Sequence, residues 1–353
     1  MLQLLLLACL QSQTPLDAAT LARYEAAARY SEETGGFSVL VHQSGRTVFE
    51  AYANGADAET PHELMSGTKS FWGVLAMAAI EDERLSLDER IAETIVEWKD
   101  DELRSQITVR HLLDLSSGLP SARLRYTLAR DRYKTAIGID ADRPAGERFE
   151  YGPTNYYVLG ELLSRKLEKD GLDPLQYLEQ RILEPIGLKA ASWKRDKSGN
   201  PLLPHGSALT AREWVKFGVF LLARGRVGEQ QLIESETLLQ CFEPSHANPS
   251  YGLTFWLGAN AVESLRLSMI ENDDRRRRVA ERLRKAREGR GANIPKDLWI
   301  AAGKGNQRLY VFPSLELVVV RQGEDDSDWS DLEFLELLLS EPALRPGTDS
   351  PPR

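Results

Sequence analysis

The sequence predicts an α/β (α+β) protein, in which an antiparallel β-sheet is flanked by helices and joined to a mainly helical subdomain. Three observations carry that prediction. Two strand-like segments joined through Ser44-Gly45 stand near the start, three more stand near the end, and helix-forming patterns dominate residues 67–245 between them. The 353 residues are 42% hydrophobic and 27% charged, an ordinary globular composition with ample chain to bury a core. The net charge of −9 argues against nucleic acid as a partner.

In chain order, residues 1–10 form an apolar run too short to span a bilayer. The run resembles the apolar part of an export signal, so residues 1–15 are read as a leader and the protein is expected to be exported, whether periplasmic, secreted or lipid-anchored. Leu6-Leu7-Ala8-Cys9 is similar to a bacterial lipoprotein box, which would make Cys9 a lipid anchor. Cys241 is the other cysteine and reads as a small core residue. No other stretch reads as a membrane span. The folded domain is expected over 16–342, with a charged insertion at about 260–295 and a disordered tail at 343–353.

An alanine-rich helix is expected over 16–33, ended by Gly35-Gly36, then strands over 37–42 and 47–52. His42 and His62 read as strand-end and loop residues. Next comes Ser66-Gly67-Thr68-Lys69, followed by the apolar run 74–80 of a buried helix. If that helix starts near Ser66, the hydroxyl and the amine lie on one face, one turn apart. Ser66 would also sit where free backbone N–H groups favour negative charge. A serine nucleophile needs an adjacent base and a donor for the oxyanion, and this stretch supplies the first and part of the second. Alone, the pattern reads first as an N-cap serine with a solvated lysine.

Further on, Thr108 is a plausible N-cap of a short helix ended by Gly118 and Pro120, with His111 on its face. No Gly-x-Ser-x-Gly occurs anywhere. Tyr151 falls on a loop before a helix that Thr154 would cap. Helices over 173–183 and 211–224 follow, then a strand over 251–257. The arginine-rich stretch after Asn272 reads as a solvated helix with Val279, Leu283 and Ala286 inward, or as an arm for an acidic partner. Strands over 298–302, 307–312 and 315–321 and a helix over 328–340 close the chain.

Ser66-Gly67-Thr68-Lys69, then Tyr151, then Lys304-Gly305-Asn306 resembles, in this order, the serine beta-lactamase and penicillin-binding superfamily, and within it the class C-like branch. The likeness extends to Leu85-Ser86-Leu87-Asp88, Ile107-Thr108-Val109-Arg110-His111-Leu112-Leu113, Asn155-Tyr156-Tyr157-Val158-Leu159-Gly160 and Leu309-Tyr310-Val311-Phe312-Pro313. It covers roughly residues 36–321. The resemblance implies a beta-lactamase/transpeptidase-like fold with the site in the cleft between sheet and helical subdomain. It implies Ser66 as acylated nucleophile, with Lys69 and Tyr151 moving its proton. Lys304 would steady the tyrosine and substrate, and the oxyanion would be held by the N–H of Ser66 and of a strand residue by Gln307.

Two positions depart from the class C pattern. Pro153 stands where Tyr-x-Asn carries its amide, and Gly305-Asn306 replaces the usual small pair. Both touch substrate contacts, which favours an esterase or peptidase over a penicillinase. The expectation is therefore a serine hydrolase of small-molecule or peptide acyl substrates, with neither cofactor nor metal. Its rivals are a peptidase of cell-wall D-amino-acid peptides and a catalytically silent binding protein of the same fold.

Overall fold

The computed structural model describes residues 16–268, 274, 277–281 and 294–340. The expected leader, the tail, and Leu283 and Ala286 lie outside the described residues. Val279 is half-buried, and Arg277 and Arg278 are exposed.

The chain opens with helix α1 (Ala18–Glu33), capped by Asp17, whose carboxylate accepts the Thr20 N–H at 2.9 Å. The hairpin β1 (Gly36–Gln43) and β2 (Arg46–Tyr52) turns at Ser44-Gly45, both at positive φ, as a tight two-residue connection requires. Late in the chain come β9 (Trp299–Gly303), β10 (Gln307–Phe312) and β11 (Leu317–Gly323). The two groups merge into one antiparallel sheet of order β2-β1-β11-β10-β9, so β11 returns beside β1 with Val41 opposite Val319. A short strand β8 (Trp256–Leu257) completes the far edge. The strand expected over 251–257 is thus only its last two residues. Thr254 sits at φ 76, outside the extended region, and breaks the run.

Alternation along the strands sorts the two faces. Gly218 of helix α8 (Ala211–Leu222) closes on Val318 and Leu309, so these residues face α8. Arg321 and Tyr310, the alternate positions, reach Ser31 of α1 and Asp331 at the start of helix α11 (Asp331–Leu339). The sheet is therefore covered by α1 and α11 on one face and by α8 on the other.

Between the hairpin and the closing strands, residues 67–245 hold helix α2 (Lys69–Glu81), α3 (Val109–Leu113), α4 (Arg123–Leu128), α5 (Arg132–Ile137), α6 (Thr154–Leu167), α7 (Pro174–Leu178), α8 and α9 (Ser235–Leu239). Residues 69–79 of α2 are all buried, as their apolar composition requires. Thr108 caps α3 as expected, accepting the His111 N–H. Thr154 does not cap α6. Its hydroxyl instead donates to Pro120 O and Ser121 O, at 2.7 and 2.8 Å, and ties α6 to the loop before α4. Cys241 is buried in the core, which pushes its thiol pKa up. Among the described residues no helix is long and apolar enough to cross a membrane.

Candidate active site

Ser66 lies in a 3-10 turn over Met65–Thr68 that runs directly into α2, rather than in the α-helix itself. The turn is entered at Met65, held at φ 50, a left-handed conformation that a side chain of this size rarely adopts. The hydrogen bonds of the turn begin with Gly67 N–H to Leu64 O. The Ser66 N–H therefore precedes the bonded ladder and stays available to a ligand. The turn that carries Ser66 is fixed from outside by the start of strand β5 (Ser207–Leu209) and the segment before it. Leu64 N–H bonds Ser207 O at 2.9 Å, Thr68 Oγ1 meets Ser207 Oγ at 2.8 Å, and Trp72 Nε1 donates to Leu203 O at 2.7 Å.

Lys69 completes the pair. Its Nζ lies 2.9 Å from Ser66 Oγ and 2.9 Å from Pro204 O, in a setting that buries it while Ser66 keeps partial exposure. Burial, reinforced by the Arg123 guanidinium, brings the Lys69 pKa down from 10.5 to about 7. Tyr151 is also buried, set in an aromatic wall of tilted and edge-on rings with Trp256, Phe149 and Tyr251 at centroid distances of 5.6, 6.3 and 6.5 Å. Burial pushes its phenol pKa up, and the Ser66 hydroxyl against it, with Arg123 and Arg308, offsets only part of that rise. The two environments push an amine down and a phenol up, so near pH 7 one can accept a proton while the other keeps its own. His205, beside Pro204, is driven to about 4 by burial and by Lys69, and is neutral there.

The structure brings Ser66, Lys69 and Tyr151 together and places Lys304, Gly305, Asn306 and Gln307 at the turn that follows β9. Lys304 is in the β9–β10 turn, its side chain 69% exposed and paired with Asp325 at 3.3 Å. Gly305 and Asn306, at φ 79 and 54, make that turn, with Gly305 N–H donating to Asp325 Oδ1 at 2.7 Å. Asn306 Nδ2 donates to Glu324 O at 3.3 Å, and the buried Gln307 amide donates to Gly305 O and Gly323 O. All four build a turn against the end of β11.

The third side of the site is the end of β9. A Cβ on Gly303 would stand 2.0 Å from Leu64 O and 3.0 Å from Gly67 N, so only glycine lets the strand touch the nucleophile turn. Ala301 lies on the same face of the strand, two residues before Gly303. Behind it, buried Arg308 donates to Gly303 O at 3.1 Å and to Asp331 at 2.5 Å, pinning the strand end. Sequence reasoning missed Gly303, Arg308, Arg123 and the Pro204 carbonyl. The small run Ala301-Ala302-Gly303 was the one visible signal.

The profile of the Beta-lactamase family matches residues 21–320, most of the chain. The protein belongs to the beta-lactamase family. Among curated relatives of this beta-lactamase-family chain is Protein flp of Staphylococcus aureus strain MW2, 24% identical over 177 residues. That alignment takes in 45% of this chain and 35% of flp, so the chain matches about a third of the relative's length. Among solved structures, EstCE1, a hydrolase with promiscuous acyltransferase activity, superposes with TM-score 0.67 at 16% identity, covering 91% of this chain and 98% of EstCE1. A D-stereospecific amidohydrolase from Streptomyces sp. gives 0.65 at 15% identity, covering 91% and 99%. At these identities the superpositions show a shared fold, the beta-lactamase-type sheet and helices described above.

Proposed function

We propose that this protein is a serine hydrolase, related to the class C-like branch, that cleaves ester, amide or lactam bonds through an acyl-enzyme on Ser66. The observation that carries the reading is the 2.9 Å approach of Lys69 Nζ to Ser66 Oγ in a burial that holds the amine near neutrality. Neutral Lys69 takes the Ser66 proton as the Oγ electron pair adds to the acyl carbon. The resulting oxyanion is met by the Ser66 N–H at the head of its turn and by the edge of β9 at Gly303. Tyr151, protonated in its buried site, passes a proton to the leaving group as the tetrahedral intermediate collapses, and recovers one from Lys69. Water then attacks the acyl-enzyme by the reverse proton path.

The amidohydrolase supports amide substrates, and the acyltransferase activity of EstCE1 supports transfer through an acyl-enzyme. Pro153 supports acyl compounds other than penicillins, since it supplies no side-chain amide to the lactam substituents. The test is active-site labelling. A fluorophosphonate should modify the protein at Ser66, fluorescent penicillin should label weakly or not at all, and Ser66→Ala should abolish the phosphonate adduct by mass spectrometry. An adduct on another residue, or none with folded protein, refutes the assignment.

A further inference from the structure

Helix α4 carries a surface that the chemistry of Ser66 does not use. Leu124 and Leu128 are each 90% exposed and stand one turn apart, on one face. The other exposed large apolar residues among those described, Leu21, Val96 and Leu315, are scattered singly along the chain. The leucines are not exposed by fraying. Tyr126, between them in sequence, is buried, with its hydroxyl 3.0 Å from Thr154 Oγ1 and its ring 4.6 Å from that of Tyr157. The helix is anchored at its root and holds both leucines outward.

The charges around this pair are of one sign. Residues 116–130 contain no Asp or Glu and carry Arg123, Arg125 and Arg130, all exposed, in a chain of net charge −9. Among the described residues, Arg125 and Arg130 have no carboxylate partner, although Arg84, Arg104, Arg165 and Arg181 are all paired. The adjacent carboxylates are already engaged: Asp131 caps α5, and Glu150 accepts the Ser121 N–H at 3.0 Å. Arg123 reaches Tyr151 O at 3.4 Å, so this surface borders the mouth of the site.

We propose that α4 is a membrane-contact element that seats the mouth of the cleft on an anionic lipid bilayer. The chemistry is that of an interfacial amphipathic helix in miniature. Leu124 and Leu128 enter below the headgroups while the unpaired guanidiniums bond phosphate oxygens. A neutral bilayer would satisfy the leucines alone, and a free anion would satisfy only the arginines. A bilayer of anionic lipid satisfies both, and presents amphipathic acyl compounds to the cleft. The inference stands on this surface and is independent of the reaction at Ser66.

The test is flotation of the full-length chain with vesicles of phosphatidylcholine alone and of phosphatidylcholine with phosphatidylglycerol. The unaltered protein should float with the mixed vesicles and only weakly with the neutral ones. L124S/L128S should weaken flotation on mixed vesicles by roughly tenfold or more. R125Q/R130Q should weaken it by roughly tenfold at low salt and less at high salt. Both variants alter exposed positions, so circular dichroism and fluorophosphonate labelling should match the unaltered protein. Equal flotation of L124S/L128S and the unaltered chain would overturn the proposal by placing the affinity elsewhere, the apolar run at residues 1–10 included. So would equal flotation on neutral vesicles, or none on mixed ones.

Discussion

Lys69 couples stability to reactivity, and Lys69→Met measures the coupling. The unfolded amine titrates at its ordinary value of 10.5 and the folded one at about 7. Between these values the unfolded chain binds the extra proton, so stability rises as pH rises through the window and is lowest below 7. Integrated from about pH 6 to about pH 9, the gain from this one group is about 3 kcal/mol. Methionine keeps much of the stem volume and removes the titration. Its stability advantage over the unaltered protein should therefore shrink by about 3 kcal/mol between those two pH values. Urea unfolding of the two proteins at each pH reads the difference directly. The same ionisation should appear in function. At pH 7 about half of Lys69 is neutral, against about three in ten thousand for an ordinary lysine, so phosphonate labelling of Ser66 should climb with pH to a plateau with its midpoint near 7. A stability difference that is the same at both pH values, or a labelling rate flat from about pH 6 to about pH 9, would refute the buried neutral amine.

Three other outcomes follow from the site. Tyr151→Phe keeps the ring in the aromatic wall and removes only the proton carrier, so folding should be unchanged while ester turnover falls by roughly 10²–10³-fold in steady-state assays. Gly303→Ala forces β9 off the nucleophile turn, because its Cβ would overlap Leu64 O. It should cost about 1–3 kcal/mol in urea unfolding and at least about tenfold in labelling rate, and native-like values would show that the turn is not held by this contact. Lys304→Ala removes a largely exposed ion pair with Asp325, so stability should move by less than about 1 kcal/mol and labelling by less than about twofold. A large loss of labelling would return Lys304 to the site.

The sequence disclosed what depends on short range. The alanine-rich α1 ended by Gly35-Gly36, the Ser44-Gly45 hairpin, the apolar α2 and the three-residue spacing of Ser66 and Lys69 are local rules, readable from neighbours along the chain. The order of strands and helices, with the family resemblance, was enough to anticipate the sheet flanked by helices. Thr154 and residues 251–257 misled because their local patterns were outcompeted. The Thr154 hydroxyl found two carbonyls on another loop, and the left-handed Thr254 ended what alternation promised as a strand.

What only the tertiary structure decided is which atoms share the site. Tyr151 reaches Ser66 because its ring is seated among aromatics from positions 149, 251 and 256, a burial no local pattern encodes. The lowered pKa of Lys69 arises from desolvation by segments remote in sequence, the Pro204 loop among them. Lys304 carried the expected residue type at the expected place, but its side chain turns to solvent and to Asp325. Strand register put Gly303 against the turn that carries Ser66, and the chain had already begun its own turn at Lys304. Spacing along the chain set the Ser66–Lys69 pair, whereas the third side of the site depended on pairing between strands far apart in sequence.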